Sequence, residues 1–181
     1  MIPYNPEIFK KPTIILDVPS AWRGLEGILY DVIKRFNIGN DRALEFGVEY
    51  GYSTVVLSNF FKKVIGIDTF AGDEHTEDKN IEGLYEAVKD CMPDNVTLIK
   101  TRYQDYKDDT RYDLIHVDIV HTYEDTFACG DWAMQHSNCV IFHDTQSFPN
   151  VMRACEDLAK KYNVQFYNYP FHHGLGILCR E

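Results

Sequence analysis

No stretch of this sequence approaches the ~18 consecutive apolar residues of a membrane-spanning helix. Residues 1–11 carry two lysines but no apolar core after them, so a secretory leader is not expected. Runs of Lys or Arg are also missing. The chain has 18 basic against 28 acidic residues, a formal net charge of −10. An acidic surface without a basic patch lacks the counter-charge that non-specific nucleic-acid binding draws on. Neither nucleic acid nor a membrane is therefore expected as a partner. Cysteine is scattered: Cys91, Cys129, Cys139, Cys155 and Cys179 contain no C-x-x-C spacing. We read all five as reduced residues of a cytoplasmic protein. Internal repeats and low-complexity tracts are absent, and so is the G-x-G-x-x-G fingerprint that cradles a dinucleotide's pyrophosphate.

What remains is the composition of a globular protein, 45% hydrophobic and 14% aromatic over 181 residues. That length favours a single domain, 1–181, with an N-terminal extension and helix over 1–38 before a core over 40–179. Ser20 reads as a helix cap, followed by Leu25, Ile28, Leu29, Val32, Ile33 and Phe36 at helical spacing. From there short apolar runs alternate with helical patterns. Strands are expected over 43–46, 64–67, 96–99, 112–117, 139–142, 164–167 and 176–179. Helices are expected over 52–61, 81–90, 124–135 and 151–162. Strands that alternate with helices form parallel sheets covered on both faces. The last two strands are separated by too few residues for a crossover, so they form an antiparallel hairpin. The fold class is thus α/β, a Rossmann-like sheet of seven strands. The polar stretch 71–80 interrupts the rhythm where a loop over a ligand would lie.

In such sheets ligands bind beyond the carboxyl ends of the strands. Glu45 to Thr54 (E-F-G-V-E-Y-G-Y-S-T) follows the first strand, Asp68 the second, and Gln104 and Asp105 the third. Asp118 and His121 follow the fourth, His143 and Asp144 the fifth. One polar strand end is ordinary solvation; a polar or acidic group at all five is harder to explain that way. Gly47 and Gly51 permit close backbone approach to a ligand. An acid some twenty residues on suits the two hydroxyls of a ribose.

The segment E-x-G-x-x-x-G-x-S-T resembles the first motif of class I S-adenosylmethionine-dependent methyltransferases of the catechol O-methyltransferase type. Asp118 to Glu124 is similar to the D-x-x-H-x-Y-E block of small bacterial methyltransferases and cephalosporin-hydroxylase-like proteins. Val140 to Asp144 resembles their fifth strand. The terminal hairpin is a hallmark of that fold. This chain departs from many relatives in having His136-Ser137-Asn138 where a Pro-Gly-Gly turn is common. It also has Glu49 at the middle glycine of the G-x-G-x-G version.

The resemblance implies S-adenosylmethionine as cofactor. Glu45 and Gly47 would line its methionine end, Gly51 would also contact the cofactor, and Ser53 would meet its carboxylate or amino group. Asp68 would meet its ribose, and Gln104 or Asp105 its adenine. Asp118 and Asp144 match two metal-ligating acids, with His143 beside them, for Mg²⁺ or another divalent cation. His121 falls where that subgroup places a lysine base, so His121 and Asp118 are the expected catalytic pair. Thr145 stands where an amide ligand would be expected. By itself His143 also reads as a packing residue donating to a backbone carbonyl, and His172 and His173 read as solvent-facing. The expected reaction is O-methylation of a small-molecule or sugar hydroxyl. A same-fold enzyme with other chemistry, hydroxylase-like, and a non-catalytic cofactor-binding module are the alternatives. Because little sequence is left to build an acceptor pocket, a homo-oligomer that completes it is a further expectation. The Asn- or Asp-Pro-Pro-aromatic motif of exocyclic-amine methylation is absent.

Overall fold

A computed structural model describes residues 1–73 and 80–180; residues 74–79 of the expected loop lie outside the described residues. In chain order the elements are β1 (Ile2–Pro3), α1 (Leu29–Arg35), β2 (Arg42–Phe46), α2 (Tyr52–Ser58), β3 (Lys63–Asp68), α3 (Leu84–Asp90) and β4 (Val96–Lys100). A 3-10 turn follows at Tyr103–Asp105. Then come β5 (Leu114–Val117), α4 (Tyr123–His136), β6 (Cys139–His143), α5 (Pro149–Tyr162), β7 (Gln165–Tyr169) and β8 (Leu175–Cys179). The sheet has eight strands in the order β1-β7-β8-β6-β5-β2-β3-β4, one more than expected. The extra strand is β1, two residues pairing parallel to the outer side of β7. Its two residues carry no alternation that the sequence could display. Among the described residues only β8 runs antiparallel to its neighbours, as the closing hairpin requires.

Period-two alternation sorts the strand residues onto two faces. Ala43, Val64, Leu114, Ile141 and Ile177 face a cluster with Trp22, Leu25, Ile28, Val32, Val56 and Leu57. Leu44, Phe46, Ile115, Val117, Val140, Phe142 and Leu178 face a second cluster with residues of α4 and α5. Both faces are thereby covered by helices, as the apolar strand runs demand.

The first helix is shorter than its periodicity implies. Residues 21–28 form successive tight turns, with Leu25 N–H donating to Trp22 O and Ile28 N–H to Leu25 O at 3.1 Å each. Gly24 at φ +102 breaks the helical run. Ser20 caps this turn through Trp22 N–H, 3.1 Å, rather than the helix itself. The N-terminal segment is latched by Asp31, which is only 4% exposed. Its carboxylate accepts from Tyr4 Oη at 2.5 Å, Glu7 N at 3.2 Å and Ile8 N at 3.0 Å. Burial, and then this bond, push the Tyr4 hydroxyl well above its ordinary pKa. Asp31→Ala leaves those donors without an acceptor, and we expect a loss of about 2–4 kcal/mol in urea unfolding. Tyr4→Phe should lose less, because the ring and both backbone bonds remain.

The reading of all five cysteines as reduced is corrected for two of them. Cys139 and Cys179 are register partners on the antiparallel pair β6–β8 and are joined as a disulfide across 40 residues of sequence. Cys91, Cys129 and Cys155 are free. No helix among the described residues is long and apolar enough to cross a membrane.

Candidate functional site

The chain runs outward from β2 through β3 to β4, then returns to place β5 on the other side of β2. Strand order reverses there, and a crevice opens beyond the carboxyl ends of β2 and β5. A cleft of about 810 Å³ occupies it.

One half of the cleft is built on the glycine loop. Gly47 leaves β2 at φ +90, and a Cβ there would lie 1.6 Å from the backbone oxygen of Asp118. Only glycine lets the loop cross so close to the end of β5. Asp68, at the end of β3, holds the loop from the other side. Its Oδ2 accepts from Val48 N at 2.7 Å and Glu49 N at 2.9 Å, and its Oδ1 from Phe70 N at 2.7 Å. A carboxylate oxygen has two lone pairs, so Oδ1 keeps one acceptor position beyond these bonds. Ser53 on α2 and Gln104 after β4 complete this half.

The other half carries the acids and histidines. Asp118 follows β5, and Asp144 follows β6, its parallel neighbour. Asp144 takes φ +62, a left-handed conformation that Asp tolerates better than most residues. His121 Nε2 lies 2.7 Å from Asp144 Oδ2 and 3.9 Å from Asp118 Oδ1. The His121 ring stacks on Phe148 at 3.9 Å between centroids and 9° between planes. His143 Nδ1 lies 3.2 Å from Asp118 Oδ2 and 3.4 Å from Asp144 Oδ2. Burial disfavours the charged forms of both histidines, but the two carboxylates outweigh it. They push His121 up to about 9 and His143 up to about 10. Burial likewise works against the acids. His143 and His121 outweigh it and hold the Asp118 carboxyl far below the usual range, and Asp144 is lowered by the same pair. Ligand atoms of Asp118, His143 and Asp144 lie within 4.8 Å of one another, close enough to hold one metal ion.

Eight of the expected residues therefore line one cleft: Gly47, Ser53, Asp68, Gln104, Asp118, His121, His143 and Asp144. Glu45, Gly51 and Asp105 are not among the residues that line it. Glu45 is the parallel register partner of His116, so both side chains leave the sheet on the same face. Both are fully buried. Trp22 Nε1–H donates to His116 Nε2 at 3.1 Å, which leaves the imidazole proton on Nδ1, 2.8 Å from Glu45 Oε1. The Thr54 hydroxyl donates to Glu45 Oε2. Glu45 thus serves a buried relay beneath the cleft. Gly51 begins α2 at φ +83 and packs toward Met92, while Asp105 is exposed, 3.8 Å from Arg102.

Sequence reasoning missed three parts of the wall. Trp22 lines the cleft from the N-terminal segment. His173, exposed as expected, also reaches the rim, where its Nδ1 lies 2.9 Å from Ser147 Oγ. Phe148, immediately before α5, is the third.

Comparison with solved structures places this fold among methyltransferases. A candidate caffeoyl-CoA O-methyltransferase from Staphylococcus aureus superposes with a TM-score of 0.67 at 15% identity, over 92% of this chain and 86% of that one. The methyltransferase PaMTH1 of Podospora anserina, solved with S-adenosylhomocysteine, gives 0.63 at 12%, over 91% and 80%. The N-methyltransferase NodS of Bradyrhizobium japonicum gives 0.59 at 13%, over 90% and 97%. Among curated sequences, protein y4gI of Sinorhizobium fredii, itself uncharacterized, is 29% identical over 158 residues. The match takes in 76% of this chain but only 17% of that much longer protein. Residues 44–145, from the floor of β2 to the residue after Asp144, match the family model described as a methyltransferase domain. With more than half its length matched and the sheet order, glycine loop and strand-end acids in place, the chain belongs to the methyltransferase-domain family.

Proposed function

We propose that residues 1–181 act as a single domain that methylates a hydroxyl of a small molecule or sugar, with S-adenosylmethionine as methyl donor and a divalent cation beside it. One observation carries this reading. A glycine loop pinned by Asp68 and a cluster of two carboxylates and two histidines open into the same cleft, joined where Gly47 approaches the Asp118 backbone. The first half suits a nucleoside without a diphosphate; the second suits an oxygen that must lose its proton.

S-adenosylmethionine, when bound, supplies a methyl group already activated on a sulfonium, so the protein's tasks are alignment and deprotonation. Asp68 fixes the loop and offers its remaining lone pair to a ribose hydroxyl. Gln104 lies toward the adenine end, and Ser53 at the first turn of α2 faces the amino-acid end. Asp118, His143 and Asp144 have the donor types and spacing for a divalent cation, which would lower the pKa of an acceptor hydroxyl. Asp118 and Asp144 hold a proton on His121 in the cation-free protein. With their charge taken up by a cation, His121, stacked on Phe148 and bonded to Asp144, would release that proton and then be the proton acceptor. The folds that superpose include both O- and N-methyltransferases. The acids and the proton-accepting histidine favour oxygen here, because a neutral amine needs no such assistance.

S-adenosylhomocysteine should bind in the micromolar range, roughly −7 to −8 kcal/mol by calorimetry. Asp68→Ala should weaken that binding about 10–100-fold, since it removes both a ribose partner and the anchor of two loop amides. An unchanged affinity in the variant would sink the assignment of Asp68. No binding in the wild type would sink the methyl-transfer reading.

A further inference from the structure

His143 is 2% exposed, and its Nε2 lies 3.3 Å from the backbone carbonyl of His172. A carbonyl oxygen can only accept, so Nε2 carries a proton and donates it. Nδ1 is thereby turned toward Asp118 Oδ2 and Asp144 Oδ2, at 3.2 and 3.4 Å. One ring N–H bound to a backbone carbonyl while the other nitrogen faces acidic oxygens is the orientation that metal-ligating imidazoles adopt. The carbonyl is held in place deliberately. His172, His173 and Gly174 are consecutive left-handed residues, at φ 52, 67 and 96. The turn they form is tied down by Gln146 N–H donating to His173 O at 2.8 Å. Backbone strain of this kind persists only where its surroundings enforce it.

The donor set is also unlike an all-oxygen site. The side chain after Asp144 is Thr145, whose hydroxyl is buried and donates to Asn168 Oδ1 at 2.6 Å. It is turned away from the acids, and the third donor of the cluster is a nitrogen. Ligands about 2.1 Å from a shared ion stand about 3.0–3.4 Å apart, the spacing of Nδ1 from its two oxygens here. Mg²⁺ takes oxygen ligands almost exclusively, whereas imidazole suits the first-row transition ions. We propose that Asp118, His143 and Asp144 form a nitrogen–oxygen site that selects a divalent first-row transition ion over Mg²⁺, with His143 as the selectivity-determining ligand. Its use in methyl transfer rests on the function proposed above; the binding itself does not.

The test uses Mn²⁺ as probe on the full chain, followed by electron paramagnetic resonance without any methyl acceptor. Mn²⁺ should bind at least ~50-fold more tightly than Mg²⁺, read by displacement of bound Mn²⁺. The bound ion should show coupling to a directly ligated nitrogen. His143→Asn keeps a polar oxygen near the position of Nδ1. It should lose that coupling and reduce the Mn²⁺ preference about 10–100-fold. S-adenosylhomocysteine binding reports whether the variant is folded. A wild-type preference below about fivefold would overturn the proposal, since carboxylates alone give that much. So would bound Mn²⁺ without a nitrogen ligand. If no metal binds while S-adenosylhomocysteine binds normally, the site is refuted and the methyl-transfer reading stands. The converse result keeps the site and removes that reading.

Discussion

Replacing Gly47 by alanine is expected to abolish S-adenosylhomocysteine binding, a loss of more than ~100-fold, and to lower the melting temperature by roughly 10 °C. Two effects add. Alanine at φ +90 is strained, which costs on the order of 1–3 kcal/mol. Its Cβ would also lie 1.6 Å from the Asp118 carbonyl oxygen, a backbone atom with nowhere to go. The Asp118 amide is bonded to Phe46 O at 2.8 Å, so relief of the clash must spread the ends of β2 and β5. That spreading would part the loop from the acid cluster, the juxtaposition on which the proposed chemistry depends. Gly51→Ala is the internal control. Gly51 has a similar φ of +83, but its added Cβ would meet the far end of the flexible Met92 side chain at 2.6 Å. We expect a cost of about 1–2 kcal/mol there, mostly strain, with cofactor binding retained. Calorimetry and thermal unfolding on the two variants separate these outcomes. Equal effects would mean that left-handed strain, not the approach to Asp118, makes Gly47 necessary.

The contrast between these two glycines shows what the sequence could and could not convey. Both were legible as loop glycines, because a strand ran into them and a helix left them. Only tertiary packing showed that one touches the acid-bearing strand end and the other a methionine. Asp118, His121, His143 and Asp144 were legible for a similar reason: each lies within a few residues of a strand's carboxyl end, and topology brings all such ends to one edge. Glu45 lies outside the cleft lining for a reason of register. It lies one residue short of the strand end, and its pairing with His116 across β2–β5 turns it to the covered face. Trp22 could not be placed from sequence. Its segment lacks a regular element, and its indole is positioned by a bond to a residue 94 positions away. That His173, exposed as expected, also stands on the cleft rim was hidden, because its place rests on a turn of three successive left-handed residues, two of them histidine. Histidine enters that conformation more often than most residues, but nothing in the sequence marks three such residues in a row.

The acid–histidine cluster should make stability depend on pH in a definite direction. His121 and His143 are raised from the ordinary 6.5 to about 9 and about 10. A group whose pKa is higher in the folded than in the unfolded chain favours folding while it is protonated. The contribution is complete below about pH 6.5 and disappears as pH rises through 9 to 10. The histidines share the same two carboxylates, so their effects do not add. A combined loss on the order of 3 kcal/mol follows. In the presence of EDTA, the melting temperature should therefore fall by roughly 6–12 °C between pH 6.5 and pH 10. Tyrosines that burial raises in the folded chain ionise near the upper limit only in the unfolded chain, which also costs stability there, so the measurement is a difference against Asp118→Asn/Asp144→Asn. That double variant removes the charges which hold both protons, and its melting temperature should vary little over the window. A divalent cation competes with those protons for the same carboxylates. It should therefore bind more tightly as pH rises, release protons on binding, and restore at pH 9 much of the stability lost there. The double variant should show no cation-dependent rise. A wild-type melting temperature that is flat from pH 6.5 to pH 10 in EDTA would mean that Asp118 and Asp144 do not hold the histidine protons. His121 would then be neutral at pH 7, free to act as a base without any cation beside it.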